Sequence, residues 1–168
     1  RLLTVGRLEK QKALEISVEA MQILKERGIH ARWYVLGEGS ERKNLTAEIE
    51  KRNLTSDFIL CGAVENPYPY MAQADLYVHA SRFEGKSIAI QEAQILGKPM
   101  IVSDCSGNRE QVRDGIDGLM VGLDARQIAD GIEKLLKDKD FRETLGKNAA
   151  NLKFEEGEAI KKITELLE

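Results

Sequence analysis

Three prolines, two cysteines, two histidines and one tryptophan are spread over 168 residues, and aromatic residues make up only 5%. Cys61 and Cys105 form no C-x-x-C pair, so neither a zinc knuckle nor a dithiol redox motif is written here. Both cysteines fall beside expected strand ends, where buried reduced thiols would fit a cytosolic setting. His30 and His79 stand alone in their segments, and no metal cluster suggests itself. Positive charge is not in excess. Lys and Arg number 25 against 28 Asp and Glu, and the net charge of −3 argues against a nucleic-acid-binding surface. No apolar run approaches the ~20 residues of a membrane span, and no secretory signal is visible. Internal repeats and low-complexity tracts are also missing.

What the chain does contain is alternation. Hydrophobic residues at 42% and charged residues at 32% give the balance of a soluble globular domain, long enough for one core. Leu2–Val5 is a short apolar run closed by Gly6-Arg7-Leu8 and reads as a buried parallel strand. The chain begins inside that strand without a methionine, so we expect a piece of a longer protein. A helix is expected over 13–27, with a buried stripe of Leu14, Ile16, Ala20, Met21, Ile23 and Leu24 and a stop at Gly28. A strand over 32–36 ends in Gly37-Glu38-Gly39, and Ser40 reads as the N-cap of a helix reaching 52. Further strands are expected over 57–61, Leu76–His79, 100–102 and Leu119–Val121. Helices are expected around 71–73, over 88–96, as a single turn over 109–112, and over Ala125–Lys137, 140–151 and 156–167.

Strands alternating with amphipathic helices predict an α/β fold: a doubly wound, Rossmann-like parallel sheet covered on both faces. Ligands bind such sheets outside the carboxyl ends of the strands. The unusual polar and glycine residues fall just there: Gly6-Arg7, Gly37-Glu38-Gly39, Gly62, the stretch 81–87 and the loop 104–108. Gly37-Glu38-Gly39 is not a dinucleotide fingerprint, because Arg42 stands where the third glycine belongs and Asp57 precedes a strand instead of ending one. The stretch 81–99, SRFEGKSIAIQEAQILGKP, is the centre of the chain. It follows a strand, turns through Glu84-Gly85-Lys86-Ser87 and enters a helix that carries Glu92. That order aims backbone N–H groups and a helix dipole at an anion. An anion site flanked by Glu84 and Glu92 suits a ligand with phosphate in the middle and hydroxyls at both ends, the shape of a nucleotide sugar.

Glu84 and Glu92, separated by seven residues and followed by Ala93, Gly97, Lys98 and Pro99, resemble the E-x7-E segment of retaining glycosyltransferases, above all glycosyltransferase family 4. The resemblance covers nearly the whole chain. It implies the C-terminal, donor-binding half of a GT-B enzyme, with residues 1–168 forming one nucleotide-sugar domain and the N-terminal acceptor domain absent. It implies that Gly6, Arg7 and Lys12 bind the donor diphosphate and that the backbone of Ala63 and Val64 lies by the nucleobase. Amides of Gly85, Lys86 and Ser87 would cap the phosphates, Glu92 would accept both ribose hydroxyls, and Glu84 would sit by the donor sugar. Glu84, Arg7 and Lys12 would be the catalytic set, with no cofactor and no metal. The donor would be UDP- or GDP-linked. The acceptor would be a glycan or lipid-linked hydroxyl reached through the missing domain, in polysaccharide or glycolipid synthesis, with a cytoplasmic parent peripheral to the inner membrane face. Gly107 and Asn108 are further ligand-edge candidates.

Two positions depart from that pattern. Ala13 replaces the glycine usual after the lysine, and as a better helix former it would start the helix. Lys86 replaces an apolar residue; it either adds to the phosphate site or points to solvent. Tyr68 and Tyr70 read as half-buried surface aromatics more than as base platforms. Other readings stay open: a nucleotide-sugar epimerase or phosphorylase of the same architecture, or a non-catalytic nucleotide-binding module.

Overall fold

The structure is a computed structural model and describes residues 1–152, so the helix expected over 156–167 lies outside the described residues. Six strands, β1 (Leu2–Val5), β2 (Trp33–Leu36), β3 (Phe58–Gly62), β4 (Leu76–His79), β5 (Met100–Ser103) and β6 (Leu119–Val121), form one sheet in the order β3-β2-β1-β4-β5-β6. Every pair is parallel. The strands are short and rich in branched and aromatic residues, and β4 and β5 are buried along their whole length.

Helices cover both faces. On one side α1 (Leu14–Glu26), α2 (Arg42–Lys51), α6 (Ala125–Lys137) and Leu145 of α7 (Lys139–Ala150) bury Leu14, Val18, Leu45, Ile49, Ile128 and Ile132 against the sheet. On the other, α3 (Tyr68–Gln73) and α4 (Ile88–Ile95) bury Met71, Ile90 and Ala93. A short α5 (Ser106–Gln111) follows β5. In the core the Trp33 ring lies 5.3 Å from that of Phe58. Its indole N–H donates to Thr4 Oγ1 at 3.0 Å, and the Thr4 hydroxyl donates to the Val78 carbonyl at 2.7 Å. This buried thread ties β2, β1 and β4 together, each bond contributing about 1 kcal/mol.

From β1 the chain winds outward through β2 to β3, then returns to β4 beside β1 and winds the other way. The reversal opens a crevice above the carboxyl ends of β1 and β4. The loops that follow these two strands are the ones the sequence marks out.

Several local expectations need correction. A 3-10 turn over Lys10–Lys12 precedes α1, and Ala13 sits between the two with φ +46° and ψ 35°, outside either helix. Ser40 does not cap α2; its hydroxyl donates to Glu9 Oε2 at 2.8 Å, and α2 starts two residues later. Both cysteines are free thiols; Cys105 is half-buried, and Cys61 is exposed because it is near the end of a strand that is a sheet edge among the described residues. α5 begins at Ser106, so Gly107 and Asn108 are helical instead of lying in a loop.

Candidate active site

The exit of β1 is built by close backbone packing. A Cβ at Gly37, whose φ is +149°, would lie 1.9 Å from the Gly6 carbonyl oxygen, and one at Gly39 would lie 2.4 Å from that of Leu8. The two glycines are there so that the β2 loop can press against the β1 loop. Leu8 is buried and plugs the core behind them. At the fingerprint position that lacks glycine, Arg42 Nε donates to both Glu38 oxygens at 2.9 and 2.7 Å. Gly6 gives room in turn: a Cβ there would meet Lys12 Cε at 3.5 Å, so the Lys12 stem lies over it. Arg7 is exposed beside it and makes no ion pair among the described residues.

Across the crevice, the β4 loop converges on Glu84. Gln11 and Arg82 stitch the loops together: Gln11 Nε2 donates to the Phe83 carbonyl at 2.9 Å, and the Arg82 amide donates to the Gln11 carbonyl at 2.8 Å. Glu84 Oε1 then accepts from three groups: the Lys12 ammonium, His79 Nε2 at 2.9 Å and Ser81 Oγ at 2.6 Å. Burial alone would push this carboxyl up. The hydrogen bonds from His79, Lys12 and Ser81 outweigh it and hold the group at about 2. Glu84 is therefore a carboxylate across the physiological range.

Burial favours the neutral imidazole of His79 and lowers its pKa despite the carboxylate. Neutral His79 bonded to Glu84 through Nε2 carries its proton there, and Nδ1 faces the Tyr77 hydroxyl at 3.3 Å. Sequence reasoning passed over both His79 and Ser81. The signal was the alternation of β4, which sets 77, 79 and 81 on one side of the strand.

Glu92 is reached from α4. Ser87 caps that helix, its Oγ accepting from the Ile90 amide at 3.4 Å. The Ser87 amide, expected to face phosphate, instead donates to Gln111 Oε1 at 2.6 Å, and Gln111 Nε2 returns a bond to the Ser87 carbonyl at 3.0 Å. Gly85 and Lys86 remain exposed. Gly107 lies directly under this turn, where a Cβ would come within 2.1 Å of the Gly85 oxygen and 2.3 Å of the Glu84 oxygen. Asn108 is no ligand-edge residue in this structure; it is buried and its Nδ2 donates to the Ser103 carbonyl at 2.8 Å.

The Glu92 carboxylate is half-buried, and that burial raises its pKa although Tyr68 donates to it. The Tyr68 hydroxyl lies 2.9 Å from Glu92 Oε1, and burial with this acceptor pushes the phenol up to about 12. Val64 packs in the same apolar cluster as Tyr68, while Ala63 is exposed. Among the described residues no group of three or more His, Cys, Asp or Glu is placed to hold a metal ion.

The family described as "Glycosyl transferases group 1" matches residues 1–152. This chain belongs to that family. Among curated glycosyltransferases, it is 31% identical over 154 residues to alpha-D-kanosaminyltransferase of Streptomyces kanamyceticus, covering 90% of this chain and 40% of that protein. It is 32% identical over 162 residues to N-acetylgalactosamine-N,N'-diacetylbacillosaminyl-diphospho-undecaprenol 4-alpha-N-acetylgalactosaminyltransferase of Campylobacter jejuni, covering 95% and 43%. The chain thus spans less than half the length of these glycosyltransferase relatives. The solved C-terminal domain of a glycosyl transferase group 1 family protein, LpcC from Francisella tularensis, superposes with a TM-score of 0.75 at 25% identity over 89% of this chain and 82% of that one. Alr3699/HepE from Anabaena, solved in complex with UDP, shares the fold with a TM-score of 0.81 at 20% identity, over 99% of this chain and 46% of its own.

The fold is that of the C-terminal half of a GT-B glycosyltransferase. Within it, the structure brings Gly6, Lys12 and Glu84 together directly. Arg7 lies on the same rim. Glu92 belongs to the helix that opens where the Glu84 turn ends. Arg7 and Lys12 bring positive charge to this rim, Glu84 a fixed carboxylate and Glu92 a half-buried one. This set can neutralise a diphosphate and accept hydrogen bonds from hydroxyls on either side of it.

Proposed function

We propose that this chain is the donor-binding half of a retaining glycosyltransferase that moves a sugar from a UDP- or GDP-linked donor to an acceptor hydroxyl in polysaccharide or glycolipid synthesis. The observation that carries this reading is the meeting of Lys12 with Glu84 across the β1–β4 crevice. The relatives named for sugar transfer, one of them onto an undecaprenol-linked glycan, and a neighbour solved with UDP support it.

In this reading the bond between the anomeric carbon and the diphosphate breaks with its electron pair going to the diphosphate oxygen, the acceptor oxygen bonds to the same face, and the acceptor proton passes to that departing oxygen. Negative charge grows on the departing diphosphate. Arg7 offers it a planar fork, and Lys12 offers the donors not engaged by Glu84. The exposed amides of Gly85 and Lys86 face the same anion at the start of α4, and the Lys86 ammonium adds to it. Glu84, held ionised, does not give up a proton; it accepts from donor-sugar hydroxyls and places negative charge near the anomeric carbon. Glu92 accepts the ribose hydroxyls, and the backbone at Ala63 and Val64 borders the base.

Acceptor-side groups come from a domain outside this chain, and the parent works on the cytoplasmic side, peripheral to the membrane. Among the described residues no helix is long and apolar enough to cross a membrane. Calorimetry with UDP and GDP on the wild type, Arg7→Ala and Lys12→Ala tests the site. Both variants are expected to bind at least tenfold more weakly. Unchanged binding in both would sink the reading. For the parent, a donor screen read by release of free nucleotide diphosphate tests transfer, whereas this chain alone is expected to bind nucleotide and turn over little.

A further inference from the structure

Resting on the ribose role of Glu92 above, we propose that Tyr68 is a positioning residue that fixes the Glu92 carboxylate for ribose recognition. Through it the site tells ribonucleoside diphosphates from analogues lacking the hydroxyls. Tyr68 is 24 residues from Glu92 in sequence and comes from a different helix, yet its hydroxyl sits 2.9 Å from Glu92 Oε1. A glutamate has three side-chain torsions and a tyrosine two, and the tyrosine here is held at its own backbone. Pro67 and Pro69 flank it with restricted φ, and its amide donates to Asn66 Oδ1 at 3.0 Å. The other end of α3 is clamped from beyond α4, where the Lys98 ammonium donates to the carbonyls of Ala72 and Ala74. Helix α3 is thus tied at both ends, its first residue to Glu92 of α4 and its last turn to Lys98 beyond α4.

The arrangement fits the chemistry of a vicinal diol. With Tyr68 taking one lone pair of Oε1, the carboxylate keeps Oε2 and the second lone pair of Oε1, enough for two neighbouring hydroxyls. A phenol held protonated to about 12 remains a donor at any working pH. Without it, the half-buried carboxylate would have other rotamers to choose from, and each would misplace at least one acceptor. Val64, proposed above to border the base, packs in the same apolar cluster as Tyr68.

The test compares UDP with 2′,3′-dideoxy-UDP by calorimetry, and GDP with its dideoxy analogue in parallel, on the wild type, Tyr68→Phe, Glu92→Gln and the double variant. The wild type is expected to prefer the ribonucleotide at least tenfold, and Glu92→Gln to erase the preference. Tyr68→Phe is expected to shrink it about three- to tenfold with dideoxy affinity unchanged, and to add nothing in the Glu92→Gln background. The dideoxy ligand doubles as a check on folding, since a damaged site loses both. Equal loss of both ligands in Tyr68→Phe, or an unchanged preference where Glu92→Gln erases it, overturns the role of Tyr68 alone. A preference that survives Glu92→Gln, or a wild type without one, overturns the ribose reading of Glu92 and this inference with it.

Discussion

Lys12 and Glu84, 72 residues apart in sequence, form an ammonium–carboxylate pair across the crevice between β1 and β4, with side chains only 16% and 7% exposed. The pair couples the two halves of the sheet at the point where strand order reverses. Lys12→Met keeps the alkyl stem over Gly6 and removes the charge. Glu84 would keep His79 and Ser81 as donors, so folding should survive with a loss of about 1–2 kcal/mol by urea denaturation. Affinity for a nucleoside diphosphate should fall at least tenfold in calorimetry. A stability loss without a binding loss would make the pair purely structural.

Glu84 also sets a pH dependence. Its carboxyl is held at about 2 in the fold against an ordinary value of 4.5, so the folded state favours the ionised form. The stability it contributes is present above pH 4.5 and disappears as pH falls from there toward 2. Glu9, Glu38 and Asp104 are lowered too and act in the same direction, so the measurement is the difference between wild type and Glu84→Gln. The wild type should lose more stability over that window. Parallel curves would show that the three donors do not stabilise the charge.

Glu92 has the opposite sign. Burial raises its carboxyl above the ordinary value, so the folded state favours the neutral form, and ionisation at neutral pH costs stability. Glu92→Gln keeps an acceptor for the Tyr68 hydroxyl and removes the charge. It should unfold at an equal or slightly higher temperature than wild type at pH 7, and the gap should close on acidification. Loss of ribonucleotide binding in a protein no less stable would mark Glu92 as a residue retained for a ligand at the expense of the fold.

These two carboxylates divide what could be read in advance. Their spacing and the strand–turn–helix order around them are local, and so are the glycine stops that end β1, β2 and β3. Periodicity and punctuation were enough for the doubly wound sheet and for the loops that follow its strands. The partners that tune the carboxylates are not local. Tyr68 arrives from α3 and Lys12 from the β1 loop, and a linear pattern carries no sign that either meets its glutamate. His79 read as a lone histidine because a buried neutral imidazole needs only one acceptor, supplied by the next loop. Cys61 was misjudged because edge position depends on strand order, which composition does not contain.

Gly107 links the fold to the Glu84 turn. In an exposed helix a glycine-to-alanine change would help by about 1 kcal/mol. Here the new methyl would come within 2.1–2.3 Å of two backbone oxygens at 84 and 85. Backbone cannot yield as a flexible side chain does, so Gly107→Ala should destabilise by about 2 kcal/mol or more and weaken diphosphate binding by shifting the turn. A neutral or stabilising result in thermal melts, with binding intact, would mean that the turn is free to move aside.

Ala13 separates two incompatible accounts of how Lys12 is aimed. If this residue simply began α1, glycine there would cost about 1 kcal/mol in helix propensity and a further ~0.8 kcal/mol for the lost methyl. Valine would cost only a few tenths through propensity. In the structure Ala13 is fully buried with φ +46°, its amide bonded to the Lys10 carbonyl at 3.2 Å, and the kink it makes turns the chain from the 3-10 turn into α1. Left-handed geometry costs alanine about 1–2 kcal/mol that glycine does not incur. Against this stand the buried methyl and the looser unfolded state of glycine, about 0.4–1 kcal/mol. Ala13→Gly should therefore fall within about 1 kcal/mol of wild type. Ala13→Val, β-branched at positive φ on a fully buried position, should lose at least about 2 kcal/mol. The order of the two variants in chemical denaturation decides the matter. Glycine above valine supports the kink, and through it the placement of Lys12 over Gly6; valine above glycine means that α1 extends through residue 13 and the lysine is aimed by some other contact.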